Sequence, residues 1–301
     1  LNPPGAEATR DKRFRDAEWR TNPAFSLMRE TYLATAEWIT GLVANVDGLD
    51  DATKRKAQFF IRQAVDAASP SNFLLTNPAA LRAALEPRGE SVLKGINNLE
   101  SDLKRGGGVL AIKQADLDAF RIGENIATTP GKVVFRNRLI ELIQYTPTTP
   151  TVFNTPLLIF PPWINKFYIM DLQPKNSLIR WLVAQGHTVF VASWVNPDVK
   201  LAECTFEDYM QDGVFAAVGA VQDAIDVDRM NTVGYCIGGT LLASTLAYMA
   251  KKQDKRIQSA TFFAAQTDFK LAGELLVFAD DPGLEYLAER IDAKGGLLDA
   301  Q

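Results

Sequence analysis

Apolar side chains in the first third of the chain recur every three or four residues, which is the period of an amphipathic helix. Asn77 and Pro78 form a typical helix start, because Asn caps the first turn and Pro needs no hydrogen-bond partner there. The polar segment before the first helix carries Phe14 and Trp19, which we expect to anchor it. The predicted helices cover residues 25–46, 50–68 and 91–104. This pattern predicts a helical N-terminal domain over residues 1–130.

The pattern changes after Gly131, where strand-like apolar runs replace the helical period. The first two runs predict a β-hairpin that turns at Asn137 and Arg138. Later runs predict buried strands that alternate with helices, which is typical of a parallel sheet. The predicted buried strands are residues 157–160, 188–193, a run ending at Val233, and 257–264, and the helices between them are 173–185 and 205–226. Residues 131–301 are therefore predicted to form an α/β domain with an α/β-hydrolase-type, mostly parallel sheet.

A glycine-flanked cysteine joins the third of these strands to a helical segment. Gly234 and Gly238 stand two residues before and after Cys236, and Gly239 follows. A strand, a sharp turn and a helix with a nucleophile at the apex form a nucleophile elbow, here with Cys in place of the usual Ser. A thiol ionises more readily than a hydroxyl, and a helix N-terminus favours the thiolate. The alternative interpretation is a glycine-rich turn with a buried structural cysteine.

Acyl transfer at such a cysteine requires an oxyanion hole. One donor is predicted to be the backbone N–H of Ile237, the residue after the nucleophile. The second usually comes from the loop after an earlier strand, so the N–H of Trp163 or Ile164 is our candidate. The alternative is that Pro161 and Pro162 merely turn the chain in this loop.

Composition excludes several classes of function. The chain has 301 residues, 47% of them hydrophobic, and a net charge of −4 without a basic stripe, so nucleic acid is not an expected partner. No apolar run approaches the roughly 20 residues of a membrane span. Two cysteines do not make a disulfide framework, which favours a reducing, cytoplasmic setting. No Cys/His cluster has metal-ligand spacing, and we predict neither a metal nor a bound cofactor.

Partners for the nucleophile are scarce in the sequence. The single histidine, His187, precedes a predicted strand and should therefore lie at the edge of the sheet opposite the elbow. Cys204, just before a helix that Thr205 can cap, is interpreted as structural. Asp268 lies near a possible acid position, but no histidine follows it. Either the chain is truncated after Gln301 or its catalytic machinery is incomplete, and we favour truncation.

Several motifs resemble those of the polyhydroxyalkanoate synthases, and the pattern is closest to the single-subunit, short-chain type. The resemblance covers nearly the whole chain and is carried by residues 69–78 (SPSNFLLTNP), 129–134 (TPGKVV), 161–172 (PPWINKFYIMDL), 193–198 (SWVNPD) and 234–240 (GYCIGGT). It implies a helical N-terminal domain followed by an α/β-hydrolase catalytic domain, with a cap subdomain that starts after about residue 268.

The resemblance also implies an activity. Members of this family polymerise (R)-3-hydroxyacyl-CoA, here 3-hydroxybutyryl-CoA, and release CoA; they dimerise and coat polymer granules in the cytoplasm. Their nucleophile corresponds to Cys236. Their triad Asp and His belong to a C-terminal portion that is absent from these 301 residues, so this chain alone is not expected to polymerise.

The chemistry of the thiol agrees with this activity. A thiolate that attacks a CoA thioester exchanges one thioester for another, and the acyl group stays activated for attack by the hydroxyl of the next unit. A serine would form an ester and lose that activation. Two alternatives stay open: a Cys-dependent α/β hydrolase, and a non-catalytic scaffold that binds granules.

Overall fold

The computed structural model describes residues 11–85, 89–116 and 118–298. The chain divides into two compact units. The helical unit contains the chain up to Ala115 and Gly273–Asp280, and the sheet unit contains Asp116–Ala272 and the chain from Asp281 onward. The first division lies ahead of the boundary expected after residue 130. No helix in the described ranges combines the length and apolarity that a bilayer crossing requires.

Helices make up the described regular structure of the helical unit. The predicted segments at 25–46, 50–68 and 91–104 are confirmed to within a few residues. The helices are α1 (Glu18–Thr21), α2 (Pro23–Ala44), α3 (Asp51–Ala67), α4 (Pro78–Leu85) and α5 (Glu90–Arg105). Short 3-10 turns lie at Lys12–Phe14, Pro70–Asn72 and Gly273–Val277.

Side-chain caps fix where these helices begin. The Asn77 side-chain oxygen accepts hydrogen bonds from the amides of Ala79 and Ala80 at 3.0 and 3.2 Å, and α4 starts at Pro78. This confirms the predicted helix start. Asp50 caps α3 in the same way through its carboxylate, which satisfies amides that have no partner within the helix.

Two aromatic residues anchor the first described segment of the chain, as predicted. Phe14 and Trp19 are 2% and 1% exposed, and their rings meet edge to face at 4.9 Å. The Trp19 ring also contacts Phe25 at 5.7 Å. Next to them, Arg13 donates a hydrogen bond of 2.7 Å to the Asp66 carboxylate on α3. The segment is therefore held to the helices by buried aromatic surface and by an ion pair.

A mixed sheet organises the sheet unit. Its strands in the described residues are β1 (Gly131–Arg136), β2 (Ile140–Tyr145), β3 (Leu157–Phe160), β4 (Val189–Trp194), β5 (Met230–Tyr235) and β6 (Ile257–Phe263). They lie in the order β1-β2-β4-β3-β5-β6, and β2 alone runs antiparallel to both of its neighbours. The hairpin, the parallel strands and the α/β-hydrolase-type sheet are therefore confirmed.

The helices of the sheet unit differ from expectation in two places. They are α6 (Leu178–Ala184), α7 (Phe206–Asp208), α8 (Ala216–Ile225), α9 (Ile237–Lys251) and α10 (Asp281–Ala293). The helix predicted at 173–185 begins later, because Ser177 caps α6 and only a 3-10 turn precedes it. The helix predicted at 205–226 is interrupted by a π-helix at Tyr209–Phe215, where Gly213 packs on the ring of Trp194.

The core lies on both faces of the central strands. The side chains of Leu158, Ile159 and Phe160 on β3 are fully buried, as are those of β4 from Val189 to Ala192. The strand predicted at 257–264 is present as β6, but the prediction that it is buried is wrong. β6 pairs on one side with β5 and is the edge of the described sheet, so Phe262 and Phe263 remain 43% and 39% exposed.

Replacement of the buried anchor should destabilise the helical unit. Trp19→Ala removes a fully buried indole, and we expect a loss of about 3–5 kcal/mol in the free energy of unfolding, measured by denaturant titration. Trp38→Ala, at a position 64% exposed on α2, is the matched control and should change stability by less than about 0.5 kcal/mol. Equal losses for the two variants would contradict the anchoring role.

Candidate active site

The turn between β5 and α9 has the geometry of a nucleophile elbow. β5 ends at Tyr235, Cys236 has φ 53° and ψ −128°, and α9 begins at Ile237. A positive φ at a residue with a Cβ costs about 1–3 kcal/mol and persists where the surrounding structure fixes it. The Cys236 side chain is exposed, so its sulfur is open to a substrate and does not lie in the core.

Three glycines make this turn possible by removing side chains from a crowded crossing. A Cβ on Gly234 would lie 2.5 Å from the Cα of Gly239, and one on Gly239 would lie 2.5 Å from the Cβ of Ala265. A Cβ on Gly238 would collide with the carbonyl oxygen of Phe160 and lie 2.6 Å from that of Pro161. Real Cβ atoms are not found at such separations, so the spacing of the glycines is a steric requirement.

Backbone hydrogen bonds hold the strained residue in place. The amide of Cys236 donates to the carbonyl of Phe263 at 2.9 Å, and its own carbonyl accepts from Gly239 and Thr240 at 2.9 and 3.2 Å. The Thr240 hydroxyl donates to the carbonyl of Gln266 at 2.7 Å. The elbow is thus tied to the end of β6 and to the loop that follows it.

Backbone amides are available on the helix side of the sulfur. Ile237 and Gly238 are the first residues of α9, and among the described residues their amides donate no hydrogen bond. The first amides of a helix lack partners within the helix and carry its positive end. They are suited to binding an anion that develops beside Cys236.

The loop after β3 lies against the elbow. The close contact of Gly238 with the carbonyls of Phe160 and Pro161 brings this loop against the elbow. Pro161 and Pro162 have no N–H, so the first amide after the strand is that of Trp163. The structure therefore brings the start of the predicted loop against the first turn of α9, and of the two predicted donors Trp163 comes first along the chain.

Aromatic side chains hold this loop, and they do so at Trp163 rather than at Ile164. The Trp163 ring lies 4.9 Å from that of Tyr209 and 5.7 Å from that of Trp194, whereas Ile164 is 76% exposed. The Trp194 indole N–H donates to the carbonyl of Pro161 at 2.7 Å. No local pattern in the sequence predicts Trp194 or Tyr209 at this site. Trp194 belongs to the SWVNPD motif, but nothing in that motif indicates the Pro161 carbonyl as its partner.

A capping box fixes the start of α7, the helical turn that leads into Tyr209. Thr205 and Asp208 form a capping box, in which the Thr205 hydroxyl accepts from the Asp208 amide at 3.2 Å and the Asp208 carboxylate accepts from the Thr205 amide at 2.8 Å. This confirms Thr205 as the N-cap. These hydrogen bonds and the neighbouring Arg138 lower the pKa of Asp208 to about 2. Burial raises the pKa of Tyr209, so its phenol is neutral beside the tryptophans at ordinary pH.

His187 lies far from the elbow. It precedes β4 at the amino ends of the parallel strands, where its ring contacts Phe153 at 5.0 Å and lines a surface cavity with Asn231. Cys236 follows the carboxyl end of β5. Val189 and Asn231 both lie opposite Leu157 of β3, so His187, two residues before Val189, lies seven residues of strand from the level of Cys236, five residues after Asn231. This corresponds to roughly 20 Å. His187 is not in reach of the Cys236 sulfur.

The other two side chains considered in the sequence have local partners. Cys204 is half-buried against the main core, and its sulfur accepts a hydrogen bond from Arg138 at 3.6 Å. Asp268 is exposed and accepts a hydrogen bond from the Lys270 amide at 2.9 Å. Within the described ranges, no group of three His, Cys, Asp or Glu side chains could hold a metal ion.

Comparison with known proteins places the chain in a family. A family model described as the N-terminus of poly-beta-hydroxybutyrate polymerase (PhaC) matches residues 10–182. This chain belongs to the PhaC family. The resemblance drawn from the motifs is therefore confirmed, although the matched region ends before the elbow.

Relatives of the PhaC family extend the similarity across the elbow. The poly(3-hydroxyalkanoate) polymerase of Methylorubrum extorquens is 50% identical over 291 residues, which are 97% of this chain and 48% of that protein. The PhaC polymerase subunit of Cupriavidus necator is 43% identical over 279 residues, which are 92% of this chain and 46% of that protein. The chain thus spans about half the length of these relatives.

Solved structures offer a weaker likeness. An α/β hydrolase from a lagoon-sediment metagenome is 10% identical, with a TM-score of 0.32 over 55% of this chain and 65% of that one. A likeness of this size supports no conclusion about the site, whose geometry is that of this chain itself.

A methyl group at the elbow crossing should disrupt it. Gly238→Ala places a Cβ against two main-chain carbonyls that have no room to move, so we expect a loss of about 1–3 kcal/mol in unfolding free energy and a lower thermal midpoint. Gly219→Ala is the matched control, because no atom lies within 4 Å of the Cβ it would add on α8. Alanine is the better helix former, so this control should be about 0.5–1 kcal/mol more stable. A harmless Gly238→Ala would contradict the steric account.

Proposed function

We propose that this chain carries the nucleophile of a poly(3-hydroxyalkanoate) polymerase that uses (R)-3-hydroxyacyl-CoA, with 3-hydroxybutyryl-CoA as the expected substrate. The observation that carries the proposal is the exposed Cys236 at a strained elbow, beside helix amides that donate no hydrogen bond within the part of the chain that the structure describes. Membership in the PhaC family and the names of the relatives support it.

The proposed first step is a thioester exchange. The Cys236 thiolate attacks the carbonyl carbon of the acyl-CoA and forms a tetrahedral intermediate with a negative oxygen. The bond from this carbon to the CoA sulfur then breaks, CoA leaves as a thiolate that takes up a proton, and the acyl group remains on Cys236. The hydroxyl oxygen of a second hydroxyacyl unit next attacks this thioester, loses its proton, and forms the ester bond while the cysteine sulfur leaves.

The oxyanion of this intermediate is proposed to bind main-chain amides. Ile237 supplies one donor from the start of α9, and Trp163 supplies the other from the loop after β3, with Ile164 as the neighbouring candidate. Each such donor is typically worth about 3 kcal/mol of transition-state stabilisation. Since the donors are backbone groups at a crossing fixed by glycines, they need no rearrangement when charge develops.

Turnover requires proton transfer that a histidine usually supplies. The only histidine in the 301 residues is His187, and it lies at the opposite edge of the sheet. We therefore propose that these residues accept an acyl group at Cys236 but do not polymerise it, and that the triad Asp and His are not among them. We also propose a cap beginning after residue 268, a homodimer, cytoplasmic granules of polyester as the site of action, and no cofactor or metal.

Two other functions compete with this proposal. The same elbow suits a Cys-dependent hydrolase, which would release free 3-hydroxy acid where the polymerase forms ester bonds. The second alternative is a non-catalytic granule-binding scaffold, which would not be acylated. It is favoured by the distance of His187 from Cys236, because this distance leaves the sulfur without a histidine base. Analysis of what this chain forms from 3-hydroxybutyryl-CoA separates the three: an acyl group bound to the protein, free acid, or neither.

The proposal is tested by acylation of the chain with 3-hydroxybutyryl-CoA. We expect release of CoA up to one equivalent, and a mass increase of one hydroxybutyryl group on the protein. Cys236→Ala should show neither, because the attacking sulfur is gone, whereas Cys204→Ala should keep most of both. CoA release is measured with a thiol reagent and the adduct by mass spectrometry. An adduct that survives in Cys236→Ala would overturn the assignment.

A further inference from the structure

We propose that Trp194 is a positioning residue for the oxyanion hole: its indole N–H fixes the carbonyl of Pro161, and through it the amide of Trp163. The inference rests on the proposed function. Trp194 is the last residue of β4, and it reaches across to the loop after the neighbouring strand β3. Its hydrogen bond to Pro161 measures 2.7 Å and is half-buried, so water competes with it poorly.

The indole ring is itself held from several sides. A Cβ on Gly213 would lie 2.7 Å from two carbons of the Trp194 ring, so the glycine makes room for the indole. The rings of Tyr209 and Trp163 lie 5.5 and 5.7 Å away, at interplanar angles of 38° and 77°. Tyr209 and Gly213 both belong to the π-helix, so this irregular turn supplies two of the contacts.

The Pro161 carbonyl is fixed from the other side by the elbow. Its oxygen would lie 2.6 Å from a Cβ on Gly238, so the absence of that atom lets the carbonyl approach the start of α9. The carbonyl therefore lies between the Trp194 indole and the first turn of the nucleophile helix. A shift of either one moves the loop relative to Cys236.

Stereochemistry carries this constraint from Pro161 to the amide of Trp163. The peptide bond after Pro161 is planar, and the ring of Pro162 locks its φ near −65°. Once the Pro161 carbonyl is oriented, the ψ angle of Pro162 is the one soft torsion that remains before the Trp163 N–H. Contact of the Trp163 ring with Trp194 and Tyr209 restricts that torsion as well. Trp194 thus constrains the chain on both sides of Pro162, through its hydrogen bond to the Pro161 carbonyl and its ring contact with Trp163.

Trp194 could instead serve only to pack the elbow. Two reactions of the Cys236 sulfur distinguish this packing role from the proposed positioning role. Attack on 3-hydroxybutyryl-CoA develops an oxyanion, whereas alkylation by iodoacetamide displaces iodide at a saturated carbon and develops none. Both are followed by mass spectrometry of the whole chain at pH 9, where free cysteine thiols are largely ionised without a base. Cys204→Ala serves as the common background, so that the sulfur measured is that of Cys236.

Trp194→Phe keeps an aromatic ring but removes the N–H. We expect its acylation rate to fall about tenfold, since a half-buried hydrogen bond that aligns a donor is lost, while its alkylation rate stays within about twofold of the parent. Trp181→Phe is the matched control, because Trp181 is 57% exposed on α6, and both of its rates should be unchanged.

Three outcomes would overturn the inference. Equal falls in both rates would show that Trp194 only packs the elbow. An unchanged acylation rate would show that the indole hydrogen bond does not align a donor. If the parent chain is alkylated at Cys236 but never acylated, the proposed function itself fails and this inference falls with it.

Discussion

The close approach of main-chain atoms at the end of β3 and the start of α9 is the constraint on which the site depends. Gly238 lies against the carbonyls of Phe160 and Pro161 with no space for a Cβ. Gly234 and Gly239 are equally close to each other, and a Cβ on Gly234 would collide with the Cα of Gly239. The parallel strands β3 and β5 and the helix α9 therefore meet at this crossing. Cys236 and the first amides of α9 lie at this crossing, and the loop that leads to Trp163 starts there, because the backbone itself is packed there.

This arrangement explains how the strain at Cys236 is maintained. A positive φ at a cysteine is unfavourable by itself, but the residue donates to Phe263 and accepts from the first turn of α9. Relaxing φ would break these hydrogen bonds and drive the glycine contacts apart. Hydrogen bonds to the sheet and the helix thus offset the conformational strain at Cys236, and Cys236 stays exposed at the start of α9.

Local signals in the sequence were sufficient for much of this structure. The Asn77 and Thr205 caps, the hairpin and the glycine-flanked elbow each depend on a few neighbouring residues, and each lies where the sequence places it. The exposure of β6 could not be predicted, since an apolar strand looks the same at the edge of a sheet as in its centre. The contact of Trp194 with Pro161 joins residues far apart in the chain, and no spacing encodes it.

The position of the single histidine bears on which steps of the proposed reaction these residues could perform. A serine at the elbow would be inert without a nearby base, because its hydroxyl does not ionise near neutral pH. A thiol forms some thiolate unaided, and backbone amides need no proton transfer to stabilise an oxyanion. Acylation therefore asks only for the groups that meet at the elbow, whereas attack by a hydroxyl on the acyl-cysteine requires a base to take its proton. His187, at the other edge of the sheet, is too far from Cys236 to be that base, so in the proposed reaction acylation of Cys236 and growth of the polymer chain require different groups.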